Sequence, residues 1–436
     1  MKKYEWRYEV VKKKLIPLLS AVLLFSLTIF PNESGRSDLN GIIKRLTHSG
    51  SNTVHFPSLS DLGHKVIYIL EIDDSERLTK SVQILDVETG EKNELFRGGI
   101  KSAPPPFSDS FLNVGTKPPI ISGDGRIAVF SLSLGEPSNI PDHYLAVVHT
   151  DGTSFKLFPF PIEALEEKDL KSYEFNNTEW ERLSNYAVNT DGSRIACIVK
   201  GHLGPSRYGN PSGIILIDMA TEKQHTLLAP DFIDENWTWT DFPKRPLTGG
   251  GWGFGLSGNG QKIIFGAQSS TDKTDYDLYS MDWTGDNLTK ITDFNDRWFS
   301  LADISQNGRQ ILFYYTGQKK QAIGSYLLQE NSPDIKFLQT FSGSRIEFFD
   351  MSGNGKFVAY LQGYSGKIFD IQTGTDYTAF NESTDGYAEG ISPMDFPRFP
   401  SFWCPKIFNQ TGDRMLLVGF PPGRTTPEIY MLYLNK

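Results

Sequence analysis

The chain is poor in the residues and motifs that usually mark an active site. Its 436 residues include two cysteines and seven histidines, and every histidine precedes residue 226. It contains no Gly-x-Ser-x-Gly elbow, no His-Glu-x-x-His pair and no phosphate-binding loop. These absences exclude the commonest hydrolase, metalloprotease and P-loop patterns. The sequence favours a protein without catalytic residues, metal or cofactor.

Positive charge is also scarce beyond the start of the chain. The formal charge of the whole chain is −9, and its first 31 residues hold six basic and two acidic side chains. That segment therefore carries +4, which leaves −13 on the remainder. So acidic a body argues against binding nucleic acid through its phosphates, and against adhesion of the body to an anionic membrane surface.

The one long apolar run lies near the N-terminus. Residues 15–30 are nearly all apolar and follow a basic stretch over residues 1–14, a pattern typical of an export signal. A helix of that length spans about 24 Å, somewhat less than a bilayer core of about 30 Å. Residues 1–31 are thus a cleaved signal peptide or a signal anchor. In both cases we predict an exported protein, periplasmic or extracellular, that touches the membrane only through this segment.

The rest of the chain repeats one short pattern. A small polar turn that ends in Gly is followed by a polar residue or two and then by an apolar run. The seven turns are SDLG (60–63), SGDG (122–125), NTDG (189–192), SGNG (257–260), SQNG (305–308), SGNG (352–355) and NQTG (409–412). Self-similarity of this kind indicates a repeat architecture. Apolar runs without polar alternation predict strands buried on both faces.

Each repeat has the composition of four short strands joined by turns, which describes a propeller blade. Seven turns predict an all-β, seven-bladed β-propeller over residues 41–436, with a six-bladed ring as the alternative. Residues 41–47 precede the first blade yet match the fourth strand of the repeat. We predict that this N-terminal strand completes the last blade, since closure removes open sheet edges.

The repeat resembles that of the TolB-like propeller family, whose WD40-like units have a similar form. Residues 277–292, DLYSMDWTGDNLTKIT, are similar to the family's D-I-Y-x-M-x-x-D-G-x-N-x-x-x-L-T phrase. Residues 257–265, SGNGQKIIF, are similar to its S-P-D-G-x-x-I-x-F phrase, with Gly258 in place of Pro. The resemblance covers residues 41–436 and implies the fold. It implies little about function, because such propellers serve many roles.

The blade assignment also bears on the two cysteines. Cys197 falls in blade three and Cys404 in blade seven, whereas a disulfide needs Cα atoms within about 7 Å. We therefore expect no disulfide between them and a buried, apolar setting for both.

Connections in a four-stranded blade alternate between the two rims of the ring. The turns between strands one and two and between strands three and four are short and form what we call the tight-turn rim. Long insertions fall between blades and between strands two and three, on the opposite rim, which we call the loop rim. Insertions on a rigid scaffold are where binding residues usually lie.

The loop-rim insertions are rich in aromatic and Arg side chains, which often anchor interfaces. Our hypothesis is a monomeric, non-catalytic propeller that binds a protein or peptide of the cell envelope through this rim. The structural alternative is that the same side chains pack the long loops onto the ring. The candidate binding residues are Trp237, Trp239, Arg245, Trp252, Trp298, Arg398, Phe402 and Trp403.

The alternative function is carbohydrate binding, or a metal-dependent lyase acting on oligouronides. A lyase would require a metal cluster near the axis, and it would draw on His64, His143, His202 and His225 if their loops converged. A calcium site at Asp272, Asp275 and Asp277 is disfavoured, because such a site needs six to eight oxygen ligands and Asp277 fills the usual Asp position of the repeat.

Overall fold

The computed structural model of the chain is an all-β, seven-bladed propeller, as the repeats predict. It describes residues 41–73, 78–98, 112–114, 118–134, 143–159, 178–203, 212–228, 254–268, 276–292, 298–316, 321–327, 335–341, 346–362, 365–381, 406–419 and 426–434. Every regular element in these ranges is a strand. Within them, no helix has the length and apolarity needed to cross a bilayer.

The strands follow one another blade by blade. β1 (Gly41–Arg45) precedes blade one, which holds β2 (Thr53–Leu59), β3 (Lys65–Asp73), β4 (Leu78–Asp86) and β5 (Lys92–Arg97). Blade two holds β6 (Leu112–Val114), β7 (Ile120–Ile121), β8 (Ile127–Leu134), β9 (His143–His149) and β10 (Phe155–Pro159). Blade three holds β11 (Thr178–Val188), β12 (Arg194–Leu203), β13 (Ser212–Asp218) and β14 (Lys223–Leu228).

Blades four to seven continue the pattern. Blade four holds β15 (Gly255–Leu256), β16 (Lys262–Gln268), β17 (Tyr276–Asp282) and β18 (Thr289–Lys290). Blade five holds β19 (Trp298–Ile304), β20 (Gln310–Thr316), β21 (Gln321–Leu327) and β22 (Lys336–Phe341). Blade six holds β23 (Ile346–Met351), β24 (Phe357–Gln362), β25 (Ser365–Asp370) and β26 (Thr375–Asn381), and blade seven adds β27 (Arg414–Gly419) and β28 (Glu428–Leu434).

The N-terminal strand closes the ring, as predicted. β1 pairs antiparallel with β28, from Gly41 opposite Leu434 to Arg45 opposite Tyr430. β28 in turn pairs with β27, and Phe408 forms a bridge to Met415 on the inner side of β27. Blade seven is therefore assembled from both ends of the propeller sequence, with β1 as its outermost strand.

The repeated turn has one structure in all seven copies. Its first residue is a buried Ser or Asn whose side-chain oxygen accepts a hydrogen bond of 2.9–3.1 Å from the backbone N–H five residues later. Its last residue is a Gly with φ between +68° and +74°, a conformation that side-chain-bearing residues rarely adopt. The motif thus persists because the turn needs a small acceptor at its start and no Cβ at its end.

The apolar runs are buried on both faces because each blade packs against two neighbours. In β3, Ile67 and Ile69 pack against blade two, whereas Val66 and Tyr68 pack towards blade seven. Five apolar clusters lie between successive blades from one to six, and a sixth joins blades six, seven and one. Each fully buried aliphatic or aromatic side chain contributes roughly 1.5–3 kcal/mol, so these seams hold the ring together.

The tight-turn rim departs from expectation in one blade. β21 ends at Leu327 and β22 begins at Lys336, so residues 328–335 form a longer connection between strands three and four of blade five. The prediction that this rim carries only tight turns is wrong at that place. Insertions on the loop rim remain the larger ones, such as residues 229–254 and 382–405.

Candidate functional site at the propeller axis

The seven turns meet at the axis and form a closed ring of backbone hydrogen bonds. In each turn the second residue, or the residue after it, bonds to the second residue of the turn in the next blade, at 2.6–3.2 Å. The bonds run from Leu62 N to Gly123 O, Asp124 N to Thr190 O, Thr190 N to Gly258 O, Asn259 N to Gln306 O, Gln306 N to Gly353 O, Asn354 N to Gln410 O, and Gln410 N to Asp61 O.

Side chains from three non-adjacent blades fill the centre of this ring. Thr190 Oγ1 donates to Asp61 Oδ2 at 2.9 Å, and Gln306 Nε2 lies 3.0 Å from Asp61 Oδ2 and 2.8 Å from Thr190 Oγ1. Blades one, three and five can share these bonds only at the axis. Lys406, on the inner edge of blade seven, forms an ion pair with Asp61 Oδ1. We call Asp61, Thr190, Gln306 and Lys406 the axial plug.

Glycine at the same turn position in other blades makes room for the plug. A Cβ on Gly123 would overlap the Asp61 carboxylate, and a Cβ on Gly258 would overlap the Gln306 side chain. The second turn residue is therefore Gly at 123 and 258, where a side chain from another blade occupies the axis, and polar at Asp61, Thr190 and Gln306, which occupy it themselves. The tight-turn end of the axis is closed by these contacts.

Lys406 gives the plug an unusual electrostatic character. Burial lowers the pKa of its ammonium group to about 8. Its side chain is 28% exposed, whereas that of its partner Asp61 is 3% exposed. Its carbonyl accepts a 3.0 Å bond from Leu59 N, which ties blade seven to blade one. The amine is thus held in place beneath the closed rim.

Two further carboxylates lie on the innermost strands of blades five and six. Asp303 Oδ2 accepts a bond from Met351 N at 3.0 Å, and Asp350 Oδ2 accepts bonds from Ile407 N and Phe408 N at 3.1 and 2.9 Å. Burial raises the pKa of Asp303 to about 6, and burial with the nearby Asp303 charge raises that of Asp350 well above its ordinary value. Each carboxyl group links one blade to the next.

The predicted loop-rim residues receive no test from this structure. Trp237, Trp239, Arg245, Trp252, Arg398, Phe402 and Trp403 all lie outside the described residues. Trp298 starts β19, where its backbone pairs with Thr316 and with Tyr276 at the loop-rim end of the strand. That these eight residues bind a partner on the loop rim stays a prediction.

The four histidines on which the lyase alternative depends lie in different parts of the fold. His64 lies on the tight-turn rim, with Nδ1 3.6 Å from Glu88 Oε1. His143 starts β9 in blade two, and His202 and His225 lie on different strands of blade three. Among the described residues, no group of three or more His, Cys, Asp or Glu side chains is placed to hold a metal ion.

The remaining polar candidates have structural partners. Asp277 is 1% exposed, accepts a bond from Thr292 Oγ1 at 2.9 Å and lies 2.9 Å from Lys290 Nζ. Asp272 and Asp275 lie outside the described residues.

Cys197 is buried and free, and burial raises the pKa of its thiol. Cys404 lies outside the described residues.

Sequence reasoning did not find the axial plug. The only signal was a departure from the repeat, since the second turn position is Gly in three copies and Asp61, Thr190, Gln306 or Gln410 in the others. Lys406 lies two residues before the bridged Phe408 and belongs to no recurring motif.

Comparison with known proteins places the fold and leaves the function open. No protein-family model matches the chain, and no curated protein matches it in sequence. Among solved structures, an oligogalacturonate lyase in complex with manganese is similar, with 12% identity and a TM-score of 0.57 over 94% of this chain and 97% of that one. An oligogalacturonate lyase from Vibrio parahaemolyticus also has 12% identity and a TM-score of 0.57, over 92% and 96% of the two chains.

A prolyl endopeptidase is similar as well, with 11% identity and a TM-score of 0.54 over 89% of this chain and 51% of that one. This chain therefore corresponds to about half of that enzyme. At such identities the likeness shows the propeller fold alone, in agreement with the seven blades described above.

Proposed function

We propose that the chain is an exported, non-catalytic binding propeller that holds a protein or peptide of the cell envelope on its loop rim. The observation that supports this most is the closed axis at the tight-turn rim, where the axial plug and seven backbone bonds leave little room for a ligand. A ligand that reaches the axis would enter from the opposite side.

The anchoring residues would be the aromatic and Arg side chains of the loop-rim insertions. Trp and Arg contribute large shares of binding energy at interfaces, and their insertions stand on a scaffold of short, paired strands. Rigid presentation limits the entropy lost on binding. A monomer suffices for this role.

The test is a pull-down from an envelope extract with the full chain and two variants. Replacing Trp237, Trp239 and Trp403 by Ala should abolish capture of the partner. The control is Leu62→Ala, which truncates a side chain that is 50% exposed on the tight-turn rim and should leave capture unchanged. Equal capture by the triple variant would contradict the assignment of the loop rim.

The second candidate is an oligouronide lyase or binding protein, favoured by the similar size of the two lyase structures that this chain covers almost fully. The described residues offer no manganese site, so no catalytic step follows from them. The check is incubation of the protein with oligogalacturonides, with and without chelator, while the unsaturated product is followed by ultraviolet absorbance. Chelator-sensitive product would favour this candidate over the binding scaffold.

A further inference from the structure

The direction of β1 fixes the rim at which the chain enters the propeller. Gly41 pairs with Leu434, and Leu434 N donates to Asp413 O at 2.8 Å. Asp413 directly follows the repeated turn of blade seven, so this end of β1 lies at the tight-turn rim. The other end, at Arg45, lies towards the loop rim. Gly41, the first residue that the structure describes, therefore lies at the outer edge of the rim whose axis is closed.

The stretch before β1 is a short link. Ten residues, 31–40, separate the basic and apolar segment of residues 1–30 from Gly41. Fully extended, a link of that length reaches at most about 35 Å. We propose that residues 1–30 tether the chain to a lipid bilayer, that the tight-turn rim faces this bilayer, and that the loop rim points away from it. This inference rests on the proposed envelope location.

The charges on the tight-turn rim favour a tether over adsorption. The outer turns of blades one to four each carry an exposed carboxylate, at Glu88, Asp151, Glu222 and Asp286. The same rim also carries exposed cations, at Arg126, Arg309 and Lys356, so its charge is mixed and it offers anionic lipid headgroups no uniformly positive surface. The propeller would lie near the bilayer, attached through β1 in blade seven. Its tight-turn rim would face the lipid, and its loop rim would be accessible to a partner.

Two positions on blade one allow a matched distance measurement. Thr89 lies exposed in the outer turn of the tight-turn rim, and Asp73 is exposed at the loop-rim end of β3. The length of β3 separates the two rims by roughly 25–30 Å. Each position is changed to Cys in a Cys404→Ser background, since Cys197 is buried.

The full chain is synthesised without cells in the presence of phosphatidylcholine vesicles, and the thiol is labelled with a fluorescent donor. Energy transfer to acceptor-labelled lipid is then measured. We expect several-fold higher transfer from Thr89→Cys than from Asp73→Cys. Equal transfer, or higher transfer from Asp73→Cys, would overturn the proposed orientation.

The control is the same pair of variants without residues 1–30, which should not float with the vesicles. Flotation of this shortened chain would show that the propeller surface binds lipid and would overturn the tether. Failure of the full chain to float would overturn it as well. Partner capture by the loop rim is measured separately, so a wrong partner hypothesis leaves the transfer result intact.

Discussion

At the scale of single residues, the buried carboxylate of Glu428 holds the ring closed. It is 0% exposed and accepts bonds from Arg45 Nη2 at 2.7 Å, Thr47 Oγ1 at 2.5 Å and Ser49 N at 2.8 Å. Burial acts to raise its pKa, but the hydrogen bonds and the Arg45 charge outweigh burial and lower the pKa. The Glu428 side chain in β28 therefore holds residues 45–49, at the end of β1 and directly after it, against blade seven.

Replacing Glu428 by Ala should lower the free energy of unfolding by about 2–3 kcal/mol, because it leaves the partly exposed Arg45 cation and the buried Thr47 hydroxyl without their acceptor. Urea denaturation measures the change. The control is Glu88→Ala, which removes an exposed ion pair with Arg414 and should cost less than about 1 kcal/mol. Similar costs for the two variants would contradict the role of Glu428.

The same carboxylate predicts a pH dependence. Because its folded-state pKa lies below that of the unfolded chain, its stabilisation is present at neutral pH and is lost as the pH falls through its folded-state pKa. Glu428→Gln keeps an acceptor but cannot ionise. Its destabilisation relative to the parent should therefore stay constant from pH 7 to about 5 and shrink as the pH falls below the ordinary glutamate pKa of about 4.3, as measured by urea denaturation at each pH.

Asp303 and Asp350 predict the opposite dependence. Burial raises both pKa values, so the folded protein holds more protons than the unfolded chain from about pH 4 upwards, through about 6 for Asp303. The free energy of unfolding should fall as the pH rises through this range. Asp350→Asn, which still offers an oxygen to Ile407 N and Phe408 N, should gain stability relative to the parent as pH rises. A constant difference between pH 4 and 8 would contradict this reading.

At the scale of elements, the N-terminal strand is the piece on which closure depends. Without β1, β28 becomes an exposed edge and Glu428 loses Arg45 and Thr47. Deletion of residues 41–47 should lower the melting temperature sharply. Deletion of residues 1–30 should leave it unchanged. If the first deletion melts like the parent, ring closure by β1 is wrong.

The sequence predicts the strands and turns well because each repeat contains the residues that determine its own local structure. A Ser or Asn acceptor, a Gly with positive φ and a doubly buried apolar run recur together, and the fourth-strand match of residues 41–47 follows from the same comparison. The long connection at residues 328–335 escapes prediction because turn length is not set by the strands it joins.

The axial plug escapes prediction for another reason. Asp61, Thr190 and Gln306 are 116 to 245 residues apart along the chain and meet only after the ring closes. Asp303 and Asp350 likewise acquire their partners from the next blade, so their raised pKa values reflect packing that no local pattern shows.

At the scale of the whole molecule, the two rims have different characters. The tight-turn rim is closed by repeated, nearly identical turns, whereas the loop rim carries connections of widely different length. A ring built this way has most of its variation in connection length on one surface, and binding is expected there. The charge of −13 on the residues after the N-terminal segment agrees with this expectation, because an acidic protein does not attract the phosphates of nucleic acid or anionic lipid.

The most direct test of this polarity places a photoactivatable cross-linking residue at either Asp73 or Thr89 of the full chain and exposes it to an envelope extract. The two sites share blade one and differ only in rim. We expect the loop-rim site to capture a defined partner, and this capture to disappear when Trp237, Trp239 and Trp403 are Ala. Capture of the same partner from Thr89 alone would contradict this expectation.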